Sequence, residues 1–211
     1  TGKVTRGWLG IGIQEMTKEL AESFGMKEAT GALVASVEKG SPAEKGGLQV
    51  GDVITKFDGK PINTSSDLPR VVAATAPGKN TPVTVLRKGT SRTLNIALGE
   101  MPTEQDQAAV GSPSAPKAEA NRIGLTLQEL TPAQKKQLGK NGLLVMDAQG
   151  PAAQAGIRRG DVILGMNNSS VQSLDQFNKQ IAAAANGKTV ALLVQRGDNT
   201  LYVPVKVGNG K

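Results

Sequence analysis

One fifteen-residue phrase occurs twice in this chain of 211 residues, and it constrains the fold more than any other feature. The first copy is Gly40–Ile54 and the second is Gln149–Ile163, and both pass through Pro-Ala to a Gly-Asp-Val-Ile end. The copies begin about 110 residues apart, which is the length of an ordinary domain. The repeat therefore predicts two similar domains. Their cores must be aliphatic, because only 2% of the residues are aromatic.

The composition between the two copies locates the domain boundaries. Residues 100–121 contain three prolines and almost no large apolar side chain, so they cannot pack into either core. We predict a first domain at residues 1–99, a flexible linker at 100–121 and a second domain at 122–211. Because the chain begins at Thr1 without an initiator Met, we expect a piece of a longer protein.

Short apolar segments separated by turns predict that both domains are mainly β with short helices. We expect each to form a partly open β-barrel or sandwich. The predicted strands are 11–14, 32–37, 53–57, 83–86 and 94–98, then 125–127, 143–146, 162–166, 190–195 and 201–207; the predicted helices lie near 18–24, after Ser41, after 64–67, at 132–138, at 151–156 and after Ser173.

Composition excludes several classes of site. There is no His and no Cys, so the chain supplies neither the usual general base of a nucleophilic triad nor the usual ligands of zinc. We therefore expect no catalytic residue, no metal and no cofactor in this fragment. Asp52 and Asp161 resemble catalytic carboxylates, but a Gly-Asp pair before an apolar strand is typical of a turn in which Asp binds local backbone N–H groups.

The net charge of +7 does not indicate a nucleic-acid protein, because the basic residues are scattered and lack interleaved aromatic residues. No apolar run is long enough to span a membrane, and no signal peptide is visible. We expect neither nucleic acid nor a membrane span.

A short apolar-Gly-apolar turn precedes a strand in each domain: Leu9-Gly10-Ile11 in the first and Ile123-Gly124-Leu125 in the second. A glycine at such a turn can aim neighbouring backbone N–H groups at an anion such as a peptide carboxylate. The following strand then offers an edge on which a peptide can add as a further strand. This pattern predicts a protein that holds peptide ends.

Side chains around each turn are expected to form an apolar slot for the last residue of the peptide. The candidate binding residues are Arg6, Trp8, Leu9, Gly10, Ile11, Gly12, Ile13, Leu68 and Val72 in the first domain, and Ile123, Gly124, Leu125, Leu127, Phe177 and Ile181 in the second. The larger Phe177 stands where the first domain has Leu68, so we expect a narrower or self-occupied second slot.

Each half resembles a PDZ domain in its permuted bacterial form, and the tandem resembles the two C-terminal PDZ domains of the HtrA/Deg (Do-like) periplasmic serine proteases. The residues that carry the resemblance are Arg6–Ile11, Ser41–Ala43 and Gly51–Ile54, with their counterparts Pro151–Ala153 and Gly160–Ile163.

The resemblance implies a periplasmic, homo-oligomeric parent whose serine endopeptidase domain is absent here. It implies substrate recognition in protein quality control, with C-terminal or unfolded polypeptide segments, the protease domain and neighbouring subunits as partners. It also implies that Arg6 helps to hold a peptide carboxylate.

Two alternatives stay open at this point. The PDZ units can instead act mainly as assembly elements of an oligomeric cage, and the second unit is the better candidate for that role. The pair can also belong to a site-2-type membrane metalloprotease, whose zinc motif and membrane spans would lie outside these residues.

Overall fold

The computed structural model of the chain describes residues 7–100 and 120–208. Arg6 and most of the predicted linker, residues 101–119, lie outside the described residues. The chain divides into two compact units, the first made mostly of residues 7–100 and the second mostly of residues 120–208. Each described unit is mainly β with short helices, which confirms the predicted fold class, and its sheet stays open instead of closing into a barrel.

The first unit contains a six-stranded antiparallel sheet, a two-stranded ribbon and three short helices. Its elements are β1 (Gly7–Trp8), β2 (Ile11–Glu15), α1 (Lys18–Ser23), β3 (Ala32–Val37), α2 (Pro42–Lys45), β4 (Val53–Phe57), β5 (Lys60–Pro61), α3 (Asp67–Ala73), β6 (Asn80–Arg87), β7 (Thr90–Ala97) and β8 (Gly99–Glu100). The strand order is β2-β3-β4-β6-β7, with β5 paired to β4, and the ribbon pairs β1 with β8. β2 is therefore an edge strand.

The second unit repeats this plan with its own sheet and three helices. Its elements are β9 (Leu125–Glu129), α4 (Pro132–Leu138), β10 (Leu143–Ala148), α5 (Gly150–Gln154), β11 (Val162–Met166), β12 (Ser169–Ser170), α6 (Leu174–Ala183), β13 (Thr189–Arg196) and β14 (Asn199–Lys206). The order β14-β13-β11-β10-β9, with β12 on β11, makes β9 an edge strand in the position of β2.

The main difference from the sequence prediction is the ribbon of β1 and β8. Two-residue strands show no alternation that a sequence pattern could reveal. Gly7 permits the close approach that the ribbon needs, because a Cβ there would lie 2.6 Å from the carbonyl oxygen of Val72 and 2.7 Å from that of Thr75. This packing holds the segment that leads into the glycine turn against α3.

The Gly-Asp of the repeated phrase forms a buried corner. In the first unit Asp52 is 1% exposed, and its Oδ2 accepts a hydrogen bond from the backbone N–H of Gln49 at 2.9 Å. Arg87 donates to the same carboxylate through Nε at 2.7 Å and Nη2 at 2.6 Å, and Nη2 also reaches the carbonyl of Gly47. The hydrogen bond to Asp52 raises the pKa of Arg87. Asp52 is thus a structural carboxylate, as the sequence predicted.

The second unit builds the same corner from the second copy of the phrase. Asp161 accepts from the backbone N–H of Arg158 at 2.9 Å and from Arg196 at 2.8 and 2.6 Å, and Arg196 donates to the carbonyl of Gly156. The corner differs in exposure, since the Arg196 side chain is 41% exposed and that of Arg87 only 17%. The phrase therefore encodes one structural device twice.

Candidate functional site

The first glycine turn, residues 9–11, is called the first loop below. Gly10 adopts the left-handed backbone conformation, with φ of +71°. A Cβ at this position would lie 2.4 Å from the Cβ of Ser41 and 2.9 Å from two carbons of the Trp8 ring. The turn therefore requires glycine for both its conformation and its close packing.

Both carbonyl groups that flank the turn are bound within the unit. The carbonyl of Leu9 accepts from the N–H of Ala43 at 3.0 Å, and that of Gly10 accepts from the N–H of Glu38 at 2.9 Å. Ala43 belongs to α2, so the repeated phrase anchors the loop. Within the described ranges, the N–H groups of Leu9 and Gly10 have no hydrogen-bond partner. Adjacent unpaired N–H groups of this kind form an anion-binding concavity.

The edge strand β2 continues this row of available groups. Because Glu38 donates to Gly10, Ile11 and Val37 face each other as a non-hydrogen-bonded pair, and the N–H of Ile11 points away from β3. Val34 of β3 donates its N–H to Asp52 and accepts at its carbonyl from Gly51, so its backbone groups point away from β2. Ile13, which pairs with Val34, therefore also directs its N–H and carbonyl away from β3. These groups face the side on which β2 has no neighbouring strand.

Gly12 has a different role from its neighbours in the strand. Its N–H donates to the hydroxyl of Ser36 at 3.1 Å, at the point where the pairing of β2 with β3 shifts register. A Cβ on Gly12 would lie 2.3 Å from that hydroxyl oxygen. The Gly12 amide is therefore directed at β3 and not at the open side of the strand.

An apolar cluster lies beside the loop and the edge strand. Leu9, Leu68 and Val72 are 2–7% exposed and belong to the core of the unit, while Ile11 and Ile13 pack against that core and stay half-buried. The structure thus brings together all five apolar residues that the sequence predicted for the first slot. The two isoleucines keep exposed surface that a ligand could cover.

The start of α3 positions Leu68. The sequence predicts a capped start within Thr64–Asp67. Ser66 makes no side-chain cap, and Asp67 accepts from the N–H groups of Thr64 and Asn63. The bond from Thr64 is the main reason that the pKa of Asp67 is lowered. The carboxylate therefore holds the turn that sets the helix in place.

Trp8 lies next to the loop. It is half-buried, and its ring is close to both Gly10 and Gly99. It is also the only tryptophan of the chain. Its fluorescence therefore reports on the first unit, and in particular on the surroundings of the first loop. Arg6, the predicted carboxylate partner, lies outside the described residues.

The second glycine turn, residues 123–125, is called the second loop. Gly124 has φ of +83°, and a Cβ there would lie 2.0 Å from the carbonyl oxygen of Gln149. The carbonyls of Ile123 and Gly124 accept from the N–H groups of Ala152 and Gln149, as their counterparts do in the first unit. The backbone scaffold of the two loops is therefore the same.

The amides of the second loop are bound, and the residue that binds them is Asn121. Its side-chain Oδ1 accepts from the N–H of Ile123 at 3.3 Å and from that of Leu125 at 3.0 Å. Its backbone carbonyl accepts from the N–H of Gly124 at 2.8 Å, and its own N–H donates to Leu125 at 2.9 Å. Sequence reasoning missed this residue.

A turn signal for Asn121 was present in the sequence. Asn at the first position and Gly at the fourth is the preferred pattern of a type I turn, and Asn121 stands three residues before Gly124. An Asn side chain also accepts readily from the N–H two residues further on. Arg122, next in the chain, donates instead to the carbonyl of Ala182 and to Asn186, at the end of α6.

The apolar residues predicted for the second slot are brought together but are closed off. Ile123, Leu125, Leu127, Phe177 and Ile181 form part of one core, and each is at most 2% exposed. In the corresponding strand of the first unit, Ile11 and Ile13 are half-buried.

Residues 7–100 and 120–208 contain no group of three or more His, Cys, Asp or Glu side chains that could hold a metal ion. In the same ranges no helix combines the length and the apolar character needed to cross a bilayer.

Comparison with known proteins gives consistent similarities. The family described as "PDZ domain" matches residues 7–98 and 121–207. A probable periplasmic serine endoprotease DegP-like of Pseudomonas fulva (strain 12-X) is 44% identical over 98% of this chain and 44% of its own length. The protein of the same description from Hahella chejuensis (strain KCTC 2396) is 40% identical over 99% of this chain and 45% of its length. The chain thus spans less than half of these relatives.

Among solved structures, the HtrA-type protease AlgW with decapeptide is 40% identical, with a TM-score of 0.46, over 49% of this chain and 32% of that one.

Proposed function

The chain belongs to the PDZ domain family, and we propose that its first unit captures the carboxyl-terminal end of another polypeptide. The observation that carries this proposal is the first loop, whose carbonyls are bound within the unit while the N–H groups of Leu9 and Gly10 have no partner among the described residues. A terminal carboxylate supplies the acceptor oxygens that such donors need.

The edge of β2 provides the second part of the binding site. A peptide that places its carboxylate in the first loop can pair its backbone with the outward groups of Ile11 and Ile13 as an added antiparallel strand. Backbone pairing contributes affinity that depends little on the peptide sequence. The site is therefore suited to many different chain ends.

The apolar cluster provides selectivity for the last side chain of the peptide. Covering the half-buried Ile11 and Ile13 beside Leu68 and Val72 with one aliphatic side chain would contribute about 1.5–3 kcal/mol. An unstructured peptide loses conformational freedom on binding, so we expect dissociation constants of roughly micromolar order. Peptides that end in Val, Leu or Phe are the expected ligands.

We propose that this unit belongs to a serine endopeptidase that acts in the periplasm; its homo-oligomeric assembly stays a prediction of the family resemblance. Support comes from the relatives, which are named probable periplasmic serine endoproteases and of which this chain spans about 44%. The names favour a serine protease over the metalloprotease alternative. The fragment itself would contribute substrate recognition and no catalysis. Removing each unit from the full-length protein, and measuring oligomer size together with peptide binding, separates substrate capture from assembly.

The test of the capture mechanism compares one peptide in two forms. A peptide ending in Val, made as a free acid and as a C-terminal amide, is titrated into the chain while the fluorescence of Trp8 is followed. The free acid is expected to saturate the signal, and the amide to bind at least about tenfold more weakly, because it lacks the charged acceptor.

Equal affinity of the acid and the amide would refute recognition through the loop amides. Saturation by neither form would refute peptide capture by the first unit. A third peptide, with the same composition and Asp as its last residue, controls for charge: it is expected to bind more weakly than the Val peptide, since a second carboxylate would have to enter the apolar slot.

A further inference from the structure

Asn121 occupies the second loop in the way that a bound peptide end would occupy the first. Its N–H donates to the carbonyl of Leu125 at 2.9 Å, as an added strand would. Its backbone oxygen and its Oδ1 together accept from all three amides of the loop, those of Ile123, Gly124 and Leu125. Two oxygens on one residue thus take the places of the two oxygens of a carboxylate.

Among the described residues, the first loop has no residue of this kind. Gly7 stands three residues before Gly10, just as Asn121 stands three residues before Gly124, but Gly7 has no side chain and forms part of β1. Its backbone is held in the ribbon with β8. The same loop scaffold therefore has an internal ligand in the second unit and none among the described residues of the first.

The chemistry of the Asn side chain supports its role as an acceptor. Two backbone N–H donors point at its Oδ1, so the amide group must present oxygen and not nitrogen to the loop. The other end, Nδ2, is buried and has no partner among the described residues. An unpaired buried donor is unfavourable, so the bonds to the loop amides must hold the side chain in this orientation.

The side chains around the second loop are closed as well. Leu125 and Leu127 on β9 are 1% and 2% exposed, and Phe177 and Ile181 on α6 are 0% and 1% exposed. These side chains therefore leave less exposed apolar surface for a ligand side chain to cover than Ile11 and Ile13 leave in the first unit. This burial is independent of the hydrogen bonds of Asn121 and leads to the same conclusion.

We propose that the second loop is a latent carboxylate site that Asn121 closes as an internal ligand, so that only the first unit of the tandem takes up a free chain end. The inference rests on the proposed function for the class of ligand, a peptide carboxyl terminus. Removing the side-chain oxygen of Asn121 frees the amides of Ile123 and Leu125 to donate to that same end, while the amide of Gly124 stays bound to the backbone carbonyl of residue 121.

The closure itself is tested without any ligand, by hydrogen exchange of the individual backbone amides in the full chain followed by NMR. In the wild type the amides of Ile123 and Leu125 are expected to be protected. In Asn121→Ala their exchange should be about five- to tenfold faster, as expected for the loss of one hydrogen bond. Asn199→Ala, which changes an exposed residue of the β13–β14 hairpin, is the matched control and should leave both amides unchanged.

The binding consequence is tested in the same spectra with the free-acid peptide ending in Val. In the wild type the amides of Leu9 and Gly10 should shift, while those of the second loop should not. In Asn121→Ala the amides of the second loop should shift too. Wild-type shifts of equal size in both loops, or a folded Asn121→Ala variant whose second loop stays unresponsive, would overturn the proposal.

Asn121→Asp keeps the acceptor and adds a charge, so it tests the same idea if the Ala variant does not fold. Its second loop is expected to stay closed to the peptide, with the amides of Ile123 and Leu125 exchanging no faster than in the wild type. Faster exchange in this variant would contradict the closure. If the first loop responds to the peptide neither in the wild type nor in the Asn121 variants, the proposed function is refuted. The exchange rates of the Ile123 and Leu125 amides test only the closure of the second loop.

Discussion

Alanine at position 10 is expected to eliminate peptide binding by the first unit and to destabilise that unit. The added Cβ would lie 2.4 Å from the Cβ of Ser41 and 2.9 Å from the ring of Trp8, at a residue with φ of +71°. The left-handed conformation costs about 1–2 kcal/mol for a non-glycine residue. Relief of the collision costs about 1–3 kcal/mol more. Because the two costs add, we expect the free energy of unfolding to fall by about 2–5 kcal/mol.

Gly40→Ala is the matched control for this variant. Gly40 has φ of +73°, but a Cβ there would meet nothing within 4 Å. It shares the backbone strain of Gly10→Ala and lacks the collision. Urea unfolding of both variants, followed by circular dichroism and combined with peptide titration, measures the difference. Equal stability losses, with peptide affinity intact in Gly10→Ala, would mean that the packing around the loop is not what shapes it.

Replacing Arg87 with methionine is expected to lower the free energy of unfolding of the first unit by about 3 kcal/mol. Methionine keeps much of the apolar stem but leaves Asp52, which is 1% exposed, with only the Gln49 N–H as a described hydrogen-bond donor. An uncompensated buried carboxylate is costly because neither water nor a cation solvates it. Urea unfolding monitored by Trp8 fluorescence reports the loss in this unit.

The second copy of the corner gives an internal comparison. Arg196→Met removes the same bidentate partner from Asp161, but the Arg196 side chain is 41% exposed, so water reaches that corner more easily. We expect a smaller loss in the second unit. Arg92→Met changes an exposed residue of β7 and should alter stability by no more than about 0.5 kcal/mol. If Arg87→Met matched Arg92→Met, the buried pair would contribute nothing to the fold.

Local signals in the sequence predicted many of the structural elements correctly. Ser41 caps α2, with Pro42 at its first position, and Ser173 caps α6, because hydroxyl acceptors and proline favour a helix start. The turn at Lys88-Gly89 joins β6 to β7 with φ of 50° and 77°, as a tight hairpin requires. The sequence also predicts a capping box in which Glu44 accepts from the N–H of Ser41, but Glu44 accepts instead from the N–H of Gly40.

The candidate site was harder to predict, because its chemistry depends on which backbone groups are left unpaired. The sequence places Leu9, Gly10, Leu68 and Val72 in one group, and the structure brings them together. The sequence does not show that the Leu9 and Gly10 amides have no partner among the described residues while those of Ile123 and Leu125 are bound. That difference arises from the geometry of Asn121 in three dimensions.

Long-range contacts account for the remaining omissions. The pairing of Gly7–Trp8 with Gly99–Glu100 joins two segments that lie at the beginning and the end of the sequence of the first unit. Neither segment has a periodic pattern. The bidentate bond of Arg87 to Asp52 likewise joins residues that are 35 apart in the chain. A sequence pattern assigns each partner to its own element but does not show which ones meet.

The anchoring of the loop carbonyls by Ala43 and Glu38 has a consequence for the thermodynamics of capture. The donors of the first loop are already oriented before any ligand arrives, so the entropy of ordering them is spent during folding. The entropic cost of association then falls mainly on the incoming chain end. Affinity should therefore rise when the peptide is stiffened in an extended conformation, whereas further rigidity of the first loop should add little.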